Sequence, residues 1–216
     1  MAKRYLVRYL VKIAAGLRAF SIKTARGETQ FRDSRQDLIL DAAQKLIAEH
    51  GVEAVSMSEL AKATGLSRPA IYQYFASLQH VLAELVINEM ADLSNAIDEK
   101  IAHFPDPMER IRIWIHYSLA HLASADHRAI RQISVDSLPE ESRGMLRAMH
   151  GHFMMALTSP VKELGIEDVT ATCHLLYASV AAAASRIDEG SDFTREAAAL
   201  ERFAVAGIAG ALAPRE

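Results

Sequence analysis

The stretch that decides the fold is Ser58-Glu-Leu-Ala-Lys-Ala-Thr-Gly65-Leu-Ser-Arg-Pro-Ala-Ile-Tyr-Gln-Tyr-Phe75. It indicates two short helices joined by a tight turn. The preceding segment Ser56-Met-Ser-Glu59 has the spacing of a capping box, which starts the first helix. Gly65 supplies the turn. Ser67 caps the second helix, and Pro69 occupies its first turn, where the missing N–H costs nothing.

A further helix precedes this pair. Apolar residues recur at helical spacing over residues 38–46 and stop at Gly51, a good helix terminator. Three helices of about 15, 7 and 8 residues joined by tight turns form a helix-turn-helix pattern.

The last of the three helices has an apolar face and an unusual opposite face. Ile71 and Phe75 lie within one arc, so we expect them to pack inward. The other side presents Pro69, Ala70 and Gln73, where an ordinary solvated helix would present Lys or Glu. In a major groove, Gln can pair with adenine, and Ala and Pro can contact thymine methyl groups. A three-helix cluster that merely packs is the alternative.

The DNA contacts are expected from this helix, its cap and the cap of the helix before it. Tyrosine and arginine side chains at these positions can reach phosphates, sugars or guanine. The predicted DNA-binding residues are Ser56, Ser67, Arg68, Pro69, Ala70, Tyr72, Gln73 and Tyr74.

Composition and charge limit the class of protein. The 216 residues are 50% hydrophobic and 24% charged, a globular balance, and no apolar run is long enough to span a membrane. The single cysteine, Cys173, excludes an intrachain disulfide and a cysteine zinc site, and it fits a cytoplasmic location. Residues 1–80 carry 12 Lys/Arg against 7 Asp/Glu, whereas residues 81–216 carry 12 against 20. A basic front on an acidic body favours phosphate backbones as partners.

Helical periodicity continues nearly to the end of the chain, and no alternating strand pattern is evident, so the predicted fold class is all-α. The predicted helices run from Ser77 to Ala102, over 107–124, near 127–134, from Pro139 to a point before Pro160, over 168–189, and from Asp192 or Thr194 through Leu212.

From Arg35 to Leu82 the sequence resembles the tetracycline-repressor (TetR) family of bacterial transcription regulators. The resemblance is carried by Ile39-Leu-Asp-Ala-Ala43, Leu46, Gly51, Ser56, Leu60-Ala61, Gly65-Leu-Ser67 and above all Ala70-Ile-Tyr-Gln-Tyr-Phe75. Beyond residue 82 only the length and the number of helices are similar. Leu78 and Gln79 stand where the family commonly has Lys followed by Glu or Asp, so a lysine–phosphate contact is expected to be missing.

The resemblance implies a homodimer with an N-terminal helix-turn-helix DNA-binding domain, here 32–80, and a larger helical ligand-binding and dimerisation domain, here 81–216. It implies a transcriptional regulator, usually a repressor, that binds a pseudo-palindromic operator in double-stranded DNA and is released by a small-molecule effector. The alternative is an all-α small-molecule-binding protein or an enzyme with a scattered site. No nucleophile motif, glycine-rich phosphate loop or His-Glu-x-x-His occurs, so we predict neither an enzyme nor a cofactor.

Bulky side chains with polar tips in the middle helices suit a pocket for a mostly apolar effector, with ordinary core packing as the alternative for each. The predicted ligand-binding residues are Trp114, Tyr117, His121, Met149, Phe153 and Tyr177. No metal site is predicted, because the pairs His116/His121 and His150/His152 lack the i, i+4 spacing that places two imidazoles on one helical face.

The last two helices are rich in small residues, which allow helices to approach closely. A tight four-helix dimer interface is the preferred interpretation, and ordinary core helices are the alternative. The predicted dimerisation residues are Ala178, Ala182, Ser185, Ala206, Gly207 and Gly210.

Residues 1–31 form a predicted basic amphipathic extension, with seven Lys/Arg and one Glu. Four interpretations stay open: a helix packed on the body, an arm along the DNA backbone, a membrane-surface helix and a misassigned start.

Overall fold

The computed structural model describes residues 34–212, so the predicted extension over 1–31 lies outside the described residues. Within that range the chain forms nine α-helices and no strands, which confirms the all-α prediction. The helices are α1 (Ser34–His50), α2 (Met57–Thr64), α3 (Arg68–Tyr72), α4 (Leu78–Ile101), α5 (Pro107–Leu122), α6 (Ala125–Ile130), α7 (Glu140–Glu163), α8 (Val169–Asp188) and α9 (Phe193–Leu212).

Local side-chain caps fix where several helices begin, as the sequence predicts. The Ser56 hydroxyl accepts a hydrogen bond from the Glu59 amide at 3.2 Å, which starts α2. A capping box has a second hydrogen bond, in which the Glu side chain accepts from the amide of the capping residue. Here the Glu59 carboxylate instead pairs with Lys62 at 2.7 Å. Asp168 accepts from the Ala171 amide at 2.9 Å and starts α8 in the same way.

One boundary prediction was wrong. Helix α7 does not end before Pro160 but runs through it to Glu163. The flanking side chains Leu157 and Val161 are fully buried, and the Leu164 amide resumes the hydrogen-bond ladder to the Pro160 carbonyl at 3.2 Å. Burial of a continuous apolar face therefore outweighs the one backbone hydrogen bond that proline removes.

Two hydrophobic cores organise the described residues. The first joins α1, α2 and α3 to the beginning of α4 and to Ala129 and Ile130 of α6. The second joins the end of α4 to α5, α7, α8 and α9 around the fully buried Trp114. Helix α4 thus contributes to both cores, with Val81 and Leu82 in the first and Ile97 in the second.

A buried polar link ties α5 to α9 inside the second core. The Glu201 carboxylate accepts a hydrogen bond from Arg112 and a second one, at 3.2 Å, from Nε2 of His116. The hydrogen bond with His116 lowers the pKa of Glu201 in spite of its burial. His116 is thereby engaged in a structural contact between two helices.

None of the nine helices between residues 34 and 212 combines the length and the apolar composition that a bilayer-spanning helix requires.

Candidate DNA-binding surface and effector cavity

The helix-turn-helix is closed by the side chains that the sequence pattern places inward. Leu60 and Ile71 are fully buried and Phe75 is 4% exposed, so α2 and α3 are anchored to the first core. Helix α3 is shorter than predicted, five residues rather than about eight, although turn hydrogen bonds continue from the Gln73 amide to Ala70 at 3.3 Å and from the Phe75 amide to Ile71 at 3.0 Å. The side chains through residue 75 therefore keep their helical directions.

The opposite face of α3 is open to solvent. The structure leaves Ser67, Arg68, Pro69, Tyr72 and Gln73 exposed. Three other predicted DNA-binding residues are half-buried: Ser56, Ala70 and Tyr74. We call these eight predicted residues the α3 surface. Base readout in a major groove requires such side chains to be carried by a firmly packed helix.

Two capping serines of this surface fix the beginnings of α2 and α3. The Ser67 hydroxyl accepts from the Ala70 amide at 3.3 Å, as Ser56 accepts from Glu59. Both hydroxyls keep a hydrogen atom to donate, so each can cap its helix and still reach a phosphate oxygen.

A small cavity lies in the second core between α4, α5, α7 and α8, next to α6. Its volume is about 80 Å³. It is lined by Glu89, Met90, Leu93, Ser118, His121, Leu122, His127, His150, Phe153 and Tyr177.

Three of the six predicted ligand-binding residues line this cavity: His121, Phe153 and Tyr177. Trp114 does not line it. Its ring is fully buried behind Phe153, 5.0 Å away between ring centroids, and its Nε1–H donates to the Phe153 carbonyl at 3.2 Å. Tyr117 and Met149 are half-buried and are also absent from the lining. A ligand contact from these three residues stays a prediction.

The cavity wall holds a polar cluster that spacing along one helix could not reveal. Glu89 of α4, His121 of α5 and His127 of α6 bring their ligand atoms within 4.8 Å of one another. Nδ1 of His127 lies 2.8 Å and Nε2 of His121 lies 3.2 Å from the same carboxylate oxygen, Oε1 of Glu89. The expectation of no metal site considered only histidine pairs close in sequence, and it missed this group.

The carboxylate of Glu89 is held in its charged form. Burial by itself would raise the pKa of Glu89, but hydrogen bonds with His121 and His127 and electrostatic attraction to the two rings lower it to about 2. The Glu89 side chain is 10% exposed, so this negative charge sits within the protein against two imidazoles.

The six predicted dimerisation residues share one solvent-facing side of α8 and α9. Ala178, Ala182, Ser185, Ala206, Gly207 and Gly210 are all exposed. Two large apolar side chains accompany them, Leu175 at 67% and Phe203 at 62% exposed. We call these eight residues the α8–α9 face. An exposed apolar face with small residues at its centre is suited to close packing against another helix pair.

The helix-turn-helix segment of the chain matches a known family model. Residues 39–85 match the family model described as "Bacterial regulatory proteins, tetR family". Residues 39–85 therefore carry a helix-turn-helix segment of the tetR type. An uncharacterized HTH-type transcriptional regulator of Mycobacterium tuberculosis is 37% identical over 83 residues, which are 38% of this chain and 41% of that relative. The chain therefore matches less than half the length of this relative.

Solved structures extend the likeness to the whole described fold. The fatty acid degradation regulator FadR of Bacillus halodurans has a TM-score of 0.69 at 22% identity, and the match covers 82% of this chain and 98% of that one. FadR of Bacillus subtilis, solved in complex with stearoyl-CoA, has a TM-score of 0.66 at 21% identity, covering 79% and 98%. At such identities the likeness establishes a TetR-family fold.

The turn between α2 and α3 generates a prediction about Gly65. This residue has φ +72°, and no atom lies near the position of an added Cβ, so Gly65→Ala should cost about 1–2 kcal/mol of stability through backbone strain alone. We expect the substitution also to weaken DNA binding, because the strain is relieved by reorienting α3. Thermal unfolding and gel shifts measure the two effects.

Gly165→Ala is the matched control. Gly165 has φ +80° and equally open space, but it lies after α7, far along the chain from α3. It should lose similar stability and keep its DNA affinity. Equal loss of DNA affinity in both variants would contradict a specific role for the α2–α3 turn.

Proposed function

We propose that this TetR-family chain is a transcriptional repressor that binds a pseudo-palindromic operator as a homodimer and is released by a small, mostly apolar effector. The observation that carries the proposal is the α3 surface. Its Pro69, Tyr72 and Gln73 are exposed, while Ile71 of α3 and Phe75 of the following turn are buried. The cavity in the second core supports a ligand site as the second element of the proposal, and the α8–α9 face supports a dimer interface as the third.

The α3 surface has the chemistry of direct readout. Gln73 offers an amide that can form a bidentate pair with adenine, and Pro69 with Ala70 offers apolar contact to thymine methyl groups. Arg68 and Tyr72 stand at the margin of the same surface, where they can reach phosphates. In a dimer, two copies of α3 would enter successive major grooves about 34–36 Å apart.

The α8–α9 face supports the homodimer. Leu175 and Phe203 are mostly exposed, which is costly for a lone chain in water, and the neighbouring Ala and Gly residues leave room for a partner helix. A two-fold axis through this face would bring each large side chain against small residues of the second copy.

The path from effector to DNA would run through α4. This helix begins immediately after the α3 turn, and its middle residues Glu89, Met90 and Leu93 line the cavity. Known small-molecule pockets measure about 300–1,000 Å³, so a cavity of about 80 Å³ has to open before it can admit an effector. Opening displaces α4, and this displacement changes the separation of the two α3 helices in a dimer. The stearoyl-CoA held by FadR of Bacillus subtilis supports a long apolar compound as a candidate effector.

The first test of the function concerns Gln73. On an operator found in the DNA upstream of the protein's own gene, Gln73→Ala should lose about 1–3 kcal/mol of binding free energy and relax the preference at one base position. Binding to random DNA should be unchanged, because phosphate contacts remain. Fluorescence anisotropy at several salt concentrations measures both, and a steep salt dependence is expected for the wild type.

Gln132→Ala is the control, since Gln132 is an exposed glutamine that follows α6, outside the α3 surface. Equal losses of Gln73→Ala on operator and random DNA would contradict base readout by Gln73. A wild-type affinity that does not change with salt would contradict DNA binding altogether.

The second test concerns the α8–α9 face. Phe203→Glu should convert the dimer to a monomer, since burying an unpaired carboxylate at the centre of an interface costs about 2 kcal/mol or more per site. Sedimentation velocity measures the change. Met155→Glu is the control, because Met155 of α7 is 65% exposed but lies outside this face. Dimers that survive Phe203→Glu, or that Met155→Glu disrupts equally, would place the interface elsewhere.

The third test concerns release by an effector, with stearoyl-CoA as the first probe. An effector that favours the DNA-free form must bind more weakly to the operator complex, by the same factor by which it weakens DNA binding. We expect a factor of about 5–150, measured by calorimetry of the probe with and without operator. Equal affinities in the two titrations would show that the bound probe does not act as an inducer.

A further inference from the structure

The cavity wall carries three classical metal-ligand side chains on three different helices. Glu89, His121 and His127 come from α4, α5 and α6, and all three side chains are 20% exposed or less. The two imidazole rings lie 4.8 Å apart between centroids, and both turn a nitrogen toward Oε1 of Glu89.

The separations suit a first-row transition metal ion. Such ions bind nitrogen and oxygen ligands at about 2.0–2.1 Å, which places neighbouring tetrahedral ligand atoms roughly 3.4 Å apart. The two His–Glu separations are 2.8 and 3.2 Å, and the third lies within 4.8 Å. Small rotations of the side chains would therefore bring all three ligand atoms to bonding distance from one centre.

We propose that Glu89, His121 and His127 bind one divalent transition metal ion, with Zn²⁺ as the best match, and that its open coordination position faces the cavity. Two imidazoles and a carboxylate are a ligand set that zinc sites with an exchangeable fourth position use. Hard cations such as Mg²⁺ and Ca²⁺ prefer oxygen ligands alone.

A second observation points to a ligand in the same cavity. Ser118 of α5 lines it, is 1% exposed, and its hydroxyl has no hydrogen-bond partner among residues 34–212. A buried polar group without a partner is costly, and a metal-bound water or an effector group in the cavity would satisfy it.

The position of the ion would connect the cavity to the helix-turn-helix. His127 lies on α6, whose Ala129 and Ile130 pack in the first core with Ile39 of α1. Ion binding would therefore fix α6 to α4 and α5. A dication beside one carboxylate also leaves the site with a net positive charge, which favours an effector with an anionic group as the fourth ligand.

Zinc titration of the full chain tests the site, independently of any DNA. The protein is first freed of any affinity tag and stripped of metal with a chelator, so that only its own nine histidines are present. Competition with a chromophoric chelator should give one Zn²⁺ per chain. Bound Co²⁺ should give the intense visible absorption of a four- or five-coordinate centre.

Glu89→Gln, His121→Gln and His127→Gln should each weaken Zn²⁺ binding by more than about 100-fold, since loss of an outer-shell partner alone costs 10–100-fold. His152→Gln is the control. His152 also pairs with a carboxylate, that of Asp98 at 2.7 Å, but this pair is exposed and has no third ligand side chain among residues 34–212. This variant should keep the wild-type affinity.

Two outcomes would overturn the site: a wild-type chain that binds no Zn²⁺, or binding that the three variants leave unchanged. Should a variant fail to fold, an anomalous-scattering map of zinc-loaded wild-type crystals decides, since it must place the ion between Glu89, His121 and His127. Loss of operator binding with zinc binding intact would contradict the proposed repressor and leave the metal site standing.

Discussion

The packing of helix α4 into two cores is the constraint on which the rest of the molecule depends. Its 24 residues span about 36 Å without a break. Val81 and Leu82 are buried in the core with α1–α3, whereas Ile97 is buried in the core with α5, α7, α8 and α9. Because interiors are close-packed, neither core can shift along α4 without loss of contacts at the other. Any signal between the cavity and the α3 surface therefore has a rigid element to act on.

Features set by local chemistry could be predicted from the sequence. The positions of Ser56, Gly65 and Ser67 fix the ends of α2 and α3 through hydrogen bonds and one left-handed residue, all within four residues in sequence. The burial of Ile71 and Phe75 follows from helical periodicity alone. Such features need no knowledge of distant segments, which is why the helix-turn-helix was predicted closely.

Features set by tertiary packing could not be predicted in the same way. Pro160 lies inside α7 because burial of the residues around it outweighs the lost hydrogen bond, and that burial depends on α5 and α8. Trp114 has the flat ring and polar tip that favour a pocket residue, yet it lies behind Phe153, which forms the cavity wall. Glu89 and His127 are 38 residues apart, so no spacing rule could join them to His121.

The polar cluster beside the cavity is difficult to explain by stability alone. Burial of the Glu89 carboxylate has a desolvation penalty, and the protein has to bury two imidazoles beside it to keep the carboxylate charged. Apolar residues of similar size at Glu89, His121 and His127 would fill the same space without this penalty, and buried ion pairs replaced in this way are often neutral or stabilising. The hydroxyl of Ser118, which lines the same cavity, is a buried polar group that the described residues do not satisfy. Together these groups give the cavity a wall that can meet a charged or coordinating species, and its Glu89 belongs to α4, which contributes to both cores.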